Sequence, residues 1–273
     1  MHSDPLFQRA LVNVVRRSEK LFSRGSRNGS SDDDDATAWK GLPVIFDEVF
    51  TGLYRLGRFS AASFLGADAD ISVHAKLLTG GVVPLCTTLA SESIFNAFAS
   101  DDKTDALLHG HSYTAHAVGC QVALESLRQL QAIDRSEQWD WARKPYGSYA
   151  SQEQLKHEGS NSSHELDAPW SIWSPSFVDW VSRRANVAGV WTLGSVLSIH
   201  MNAGDGAGYK STAAVKIRDE LRRGSVVDGR GSWNVHSRVL GNVLYIMGSQ
   251  KSMQSDIEEI ETLIQERMEG LAI

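Results

Sequence analysis

Two residues in this chain have types and settings suited to covalent chemistry. Asp47 closes the apolar run Leu42-Pro43-Val44-Ile45-Phe46, and Lys76 follows the run Ile71-Ser72-Val73-His74-Ala75, 29 residues later. Short apolar runs of this kind are the pattern of buried parallel strands. Open α/β sheets bind their ligands beyond the C-terminal ends of such strands. An amine and a carboxylate so placed suit a Schiff-base cofactor. The amine condenses with a carbonyl, and the carboxylate pairs with a pyridinium nitrogen that keeps the ring an electron sink. Plainer readings stay open at this point, since a lysine after a strand can be a solvated surface group. Asp47–Glu48 could equally cap a following helix.

The elements around these two residues follow from periodicity. Asp4 to Arg17 carries Phe7, Ala10, Leu11, Val14 and Val15 at helical spacing, which predicts an amphipathic helix with one face for a core. Ser23 to Thr37 is Ser, Gly, Asn and Asp, including Asp32 to Asp35, and predicts a mobile loop. Ser91 to Phe98 and Ala115 to Leu130 read as helices, the second with a stripe of Cys120, Ala123, Leu124 and Leu127. The first half is therefore α/β in pattern. Ala132 to Pro169 is polar, with isolated aromatics, and reads as a variable connection. Beyond it come a helix near Ser176 to Arg184, strands near Val190 to Met201 and Val243 to Met247, and helices over Ser211 to Arg222 and Ser255 to Glu269. That α+β pattern predicts a smaller second domain.

Three motifs, in this order, resemble class III aminotransferases. Val44-Ile45-Phe46-Asp47-Glu48-Val49-Phe50-Thr51-Gly52 is similar to the family's Asp-Glu signature. Asp70 through Lys76 to Gly81, continuing into Pro84-Leu85, is similar to its cofactor-lysine segment. His109-Gly110-His111-Ser112-Tyr113-Thr114-Ala115-His116 resembles its His-Gly segment, which in the family's dimer reaches the cofactor phosphate of the neighbouring subunit. Arg238-Val239-Leu240-Gly241-Asn242-Val243-Leu244-Tyr245-Ile246-Met247 is similar to a segment of the 7,8-diaminopelargonic acid aminotransferases of biotin synthesis. The opening Asp4 to Arg9 and the stretch His109 to Cys120 look most like the eukaryotic form, which is fused to dethiobiotin synthetase.

The resemblance implies a fold-type I α/β transferase that depends on pyridoxal 5′-phosphate. The chain would supply the rear part of the large domain over residues 1–131 and the connection and small α+β domain over 132–273. Lys76 would carry the cofactor and Asp47 would hold its ring nitrogen. Val49 would pack on the ring, and His111 and Ser112 would serve the phosphate across a homodimer. Arg238 would bind the substrate carboxylate, since a guanidinium fork can hold a carboxylate bidentately. The implied substrates are S-adenosylmethionine and 7-keto-8-aminopelargonic acid, and the implied location is the mitochondrion. Ser18 to Lys40 and Ala132 to Pro169 look like insertions. Ser112 stands where threonine is common, and His111 stands where bacterial members often have proline. The likeness is to the later part of such an enzyme, so the chain by itself is expected to be inactive.

Composition and other motifs exclude several rivals. Net charge is −6, which gives no basic footprint for nucleic acid or anionic membrane. Hydrophobic residues make up 42%, enough for a core, but no apolar run is long enough to cross a bilayer. Cys86 and Cys120 have no metal or redox spacing and fit a reducing compartment or small buried sites. His109, His111 and His116 lack the carboxylate or cysteine partner of a zinc site, so no metal is expected. Gly204 to Ser211 places Tyr209 where a phosphate loop needs glycine, and so predicts a turn. Trp170, Trp173 and Trp180 read as packing residues.

Overall fold

The computed structural model describes residues 4–17, 41–107, 110–146, 168–227 and 231–271. The chain divides into two compact units, Met1–Leu53 with Arg58–Gln129, and Tyr54–Gly57 with Leu130–Ile273.

The first unit is built on a three-stranded sheet. Strands β1 (Ile45–Asp47) and β2 (Ile71–His74) pair in parallel, with Asp47 opposite Val73. Strand β3 (Thr87–Ala90) pairs antiparallel to β2, with His74 opposite Thr87. The expected strand at Leu42–Phe46 is thus shorter and ends on Asp47 itself. It is not buried as the apolar run suggested, because Ile45 is 61% exposed on the sheet's edge strand. Strand β3 escaped the sequence reading, since Thr87-Thr88-Leu89-Ala90 has neither alternation nor an apolar run. Between β1 and β2, Ala61–Phe64 forms a 3-10 turn.

Helix α1 (Pro5–Arg17) starts where Asp4 caps it, its Oδ1 accepting from the N–H groups of Leu6 and Phe7 at 2.8 and 3.1 Å. Arg16 near its other end pairs with Asp70 at 3.2 Å and also donates to the Asp68 carbonyl. Asp70, 6% exposed, accepts from the Val44 N–H at 2.6 Å, so one carboxylate joins α1 to the starts of both parallel strands. The expected core face of α1 is a correction. Only Val12 is buried, while Leu6, Phe7, Leu11 and Val14 are more than half exposed.

A short helix α2 (Glu92–Asn96) follows β3, and α3 (Ala117–Arg135) is the long helix of this part of the chain. The predicted stripe of α3 is shifted: Ala123, Leu130 and Ile133 are buried, whereas Cys120 is exposed and Leu124 is 44% exposed. Cys86 is exposed too, which rules out the buried reading for both thiols.

The second unit is an antiparallel sheet of order β4-β5-β9-β8 with helices packed on it. Its strands are β4 (Val187–Leu193), β5 (Val196–Met201), β8 (Arg238–Leu240) and β9 (Val243–Met247). The apolar stretch near 190–201 is in fact a hairpin. Gly194 turns it at φ +55°, where a Cβ would meet the Arg55 carbonyl oxygen at 2.5 Å. Helices α4 (Pro175–Ser182), α5 (Val215–Arg223) and α6 (Gln254–Gly270) bury residues at helical spacing. Examples are Ile217 with Leu221, and Ile257 with Ile264 and Met268. A small hairpin, β6 (Ser225–Val227) with β7 (Gly231–Trp233), stands apart.

The segment read as a connection is ordered at its start. Residues 140–146 are helical, and Trp139 before them is 1% exposed, stacked between Tyr54 and Trp170 at 5.6 and 5.3 Å. Trp170 and Trp173 are core residues as expected, 7% and 0% exposed. The predicted loop at Ser23–Thr37, the later part of the 132–169 connection and His109 lie outside the described residues.

Candidate active site

The parallel pairing of β1 and β2 sets the site's geometry. Asp47 ends β1 beside Val73, and Lys76 comes three residues after Val73, roughly 10 Å farther along at strand rise. Strand alternation alone would put Lys76 on the opposite face from Asp47. It does not apply, because Lys76 adopts φ +50°, a left-handed backbone that a side chain larger than glycine's rarely takes. The preceding Ala75 is fully extended, and Lys76 opens a single 3-10 turn to Leu78. Such strain persists where surrounding contacts over-determine it, and it clusters at functional sites. Here Thr79 holds the turn by donating to the Val83 carbonyl at 2.6 Å. Ser126 of α3 donates to the Leu77 carbonyl at 2.7 Å.

Both functional groups are exposed and nearly unengaged. Among the described residues the Lys76 amine has no hydrogen bond or ion pair. Among the described residues Asp47 accepts only from the Val49 N–H, at 3.0 Å, which leaves one carboxylate oxygen without a described partner. His74, two residues before Lys76, is 7% exposed. Its Nε2 lies 3.2 Å from Ser72 Oγ, and its Nδ1 has no partner among the described residues.

His111 and Ser112 fall in an exposed turn in front of α3. Thr114 N–H donates to the His111 carbonyl at 3.0 Å, His111 N–H donates to Thr114 Oγ1 at 2.8 Å, and Tyr113 N–H donates to His111 Nδ1 at 3.1 Å. The imidazole is thus used within the turn, while the Ser112 hydroxyl has no partner among the described residues. Helix α3 begins five residues after Ser112 and is the same helix that Ser126 fastens to the Lys76 turn.

Arg238 belongs to the second unit. It opens β8 opposite Tyr245, and its exposed guanidinium has no ion pair among the described residues. The structure therefore places Asp47, Val49 and Lys76 at or just beyond the C-terminal ends of one strand pair and His111 and Ser112 on one turn, with Arg238 in the other unit.

Glu48 was not singled out by its position in the sequence. It is 3% exposed, and its carboxylate accepts from Ser60 Oγ at 2.5 Å and from the N–H groups of Ala61 and Ala62 at 3.0 Å each. Of the adjacent pair, Glu48 is the one that caps, and it caps the 3-10 turn 13 residues on. The signal that could have found it is Ser60 followed by two alanines, an N-cap with no acid three residues later.

An amine and a carboxylate beyond the ends of neighbouring parallel strands are the donor types a pyridoxal-type group would need, the amine for its aldehyde and the carboxylate for its ring nitrogen. Residues 34–164 match the profile of class-III aminotransferases. The chain carries a class-III aminotransferase region. A bifunctional dethiobiotin synthetase/adenosylmethionine-8-amino-7-oxononanoate aminotransferase from Emericella nidulans is 51% identical over 270 residues, covering 97% of this chain and 31% of the relative. The mitochondrial bifunctional dethiobiotin synthetase/7,8-diamino-pelargonic acid aminotransferase of Oryza sativa is 38% identical, over 89% of this chain and 23% of its own length. The chain thus spans a third or less of the length of these curated relatives.

Solved structures agree on the fold. A PLP-bound amine transaminase from an uncultivated Pseudomonas species matches with a TM-score of 0.60 at 21% identity, covering 84% of this chain and 45% of that one. An adenosylmethionine-8-amino-7-oxononanoate aminotransferase from Methanocaldococcus jannaschii matches with a TM-score of 0.59 at 20% identity, covering 83% and 45%. The fold of this chain is that of the fold-type I transaminases.

Proposed function

We propose that this chain is part of an aminotransferase of biotin synthesis that moves an amino group from S-adenosylmethionine to 7-keto-8-aminopelargonic acid. The supporting observation is the 51% identity to the fungal bifunctional enzyme across 97% of this chain, with Asp47 ending one parallel strand and Lys76 following its neighbour. Residues 1–131 form the later part of the cofactor-binding domain, with 18–40 as a loop insertion, and 132–273 form the connection and the small domain. The active form is a homodimer, and the location is mitochondrial, as the names of the plant relatives state for those proteins.

Pyridoxal 5′-phosphate, when bound, supplies a carbonyl that captures an amine and a pyridinium ring that takes up electron density. The chain's own residues do the rest. Lys76 would hold the cofactor through its Nζ, and that amine, once free, would serve to move a proton between the donor's Cα and the cofactor. Asp47 keeps the proton on the ring nitrogen through its free carboxylate oxygen. Val49 packs on the ring face. Ser112, with His111 shaping its turn, donates to the phosphate of the neighbouring subunit. Arg238 holds the carboxylate of the keto substrate.

The test is a chimera of the fungal relative in which the matched 31% is replaced by this sequence. It should form 7,8-diaminopelargonic acid from the two substrates and show cofactor absorbance that disappears in Lys76→Ala. A chimera that takes another ω-amino donor or keto acid in preference would redirect the assignment to a different class-III specificity.

A further inference from the structure

We infer that Glu48 is a positioning residue that holds the neighbouring Asp47 in register for the cofactor ring nitrogen. This rests on the aminotransferase reading above for what Asp47 does, and on geometry alone for how Asp47 is held. Asp47 has one contact among the described residues, the Val49 N–H, so its orientation is no firmer than the backbone of residues 47–49. That backbone is fixed by Glu48. Its N–H donates to the Val73 carbonyl at 3.0 Å and so extends the β1–β2 ladder one residue past Asp47. Its carbonyl accepts from the Gly52 N–H at 3.0 Å. Its carboxylate takes three donors from Ser60, Ala61 and Ala62.

The approach of Gly52 shows how tightly this neck is drawn. A Cβ there would lie 2.9 Å from Glu48 Oε2 and 3.1 Å from its Cβ, so a larger residue would push the carboxylate away. Leu53 next to it is held at φ +56° while its N–H donates to the Phe59 carbonyl at 2.7 Å. Backbone held in this region is strained and needs firm anchoring. A buried carboxylate with three donors provides it, since charge-assisted hydrogen bonds are roughly twice as strong as neutral ones. Glu48 thus reaches the chemistry only through Asp47 and Val49.

Two measurements test this. In Glu48→Gln the side chain keeps its shape but turns one acceptor into an N–H group facing other donors. Hydrogen exchange in the cofactor-free fungal chimera should show the Val49, Ala61 and Ala62 amides losing at least tenfold protection while Ser72 and Val73 keep theirs. Unchanged protection at Val49 would overturn the inference. In the fungal chimera, E48Q should lower kcat by up to about 100-fold, the scale of a 1 Å misplacement, with KM for the keto acid unchanged. The loss should vanish in an Asp47→Asn background, where there is no ring contact left to misplace. An equal loss in both backgrounds would mean that Glu48 only supports the fold, and would overturn the inference. A parent chimera that binds cofactor but transfers no amino group counts against the aminotransferase reading instead, and the exchange result at Val49 then decides this one.

Discussion

Lys76 carries its functional amine on a backbone that its residue type disfavours, and this separates its contribution to chemistry from its effect on stability. A left-handed lysine costs about 1–3 kcal/mol, and a glycine there would return that strain less about 0.5–1 kcal/mol of extra chain entropy. Lys76→Gly is therefore expected to raise unfolding free energy by about 1 kcal/mol in urea titrations while abolishing cofactor attachment. A destabilised variant would show that the Lys76 side chain contributes packing that outweighs the strain. Asp47→Asn should leave the cofactor attached in the chimera but lower kcat roughly 10²–10³-fold, the loss seen when one preorganised electrostatic contact is removed. Near-normal turnover would remove Asp47 from the mechanism. Arg238→Ala should raise the keto-acid KM by the equivalent of about 2–5 kcal/mol, with the cofactor spectrum unaltered. These three residues stand out in the sequence because each sits at the end of an apolar run or inside a distinctive motif. The left-handed φ of Lys76 and the capping role of Glu48 do not, because both depend on contacts between residues 4 to 49 positions apart.

At the level of elements, helices were read from the sequence more accurately than the faces they present. The ranges of α1, α4 and α6 follow the periodicity closely, since 3.6-residue spacing is a local property. Which residues of α1 and α3 meet a core depends on neighbouring elements, and there the expected stripes missed. The hairpin at Gly194 was hidden because β5 is buried on both faces, so no alternation marks its start. One helix junction carries a pH signature. Glu261 of α6, 7% exposed, accepts from the N–H and hydroxyl of Ser174, the residue that caps α4. Burial pushes the Glu261 carboxyl up, and the nearby Glu258 adds to the rise, while the two Ser174 hydrogen bonds oppose it. The folded state therefore keeps a proton that the unfolded chain has released. Stability from this group is fully present below the unfolded value of about 4.5 and is lost as pH rises through the folded value. Glu261→Gln should flatten that part of the stability–pH curve, as read by thermal melts from pH 4 upward. A slope identical to that of the parent would assign the pH dependence to another group.

For the molecule as a whole, the first unit shows apolar side chains to solvent in unusual number. Leu6, Phe7, Leu11 and Val14 on α1, Ile45 on β1, Leu89 on β3 and Phe95 on α2 are each more than half exposed. Where such side chains form a contiguous patch, the patch marks a face made for another chain or segment, or one that aggregates. Residues 1–273 alone are therefore expected to bind a hydrophobic dye, to self-associate, and to give no transamination when supplied with pyridoxal phosphate. A monodisperse, active protein would refute this. Leu11→Lys with Val14→Glu should reduce dye binding without melting the helix, whose other contacts run through Arg16 and Asp70. The threading of the chain sets a further condition, on the order of events at synthesis. Tyr54–Gly57 belong to the second unit, yet their neighbours on both sides belong to the first. Arg55 receives Ser195 through its carbonyl, across 140 residues, and donates to Met247 Sδ across 192. Closing a 192-residue loop costs about 2.5 kcal/mol more entropy than closing one of about 12 residues. At ribosomal rates of roughly 5–20 residues per second, these four residues wait about 10–40 s for β9 to be made. A nascent chain arrested before Met247 therefore holds Tyr54–Gly57 short of their full set of partners, and this stretch is where a chaperone or a protease would find it.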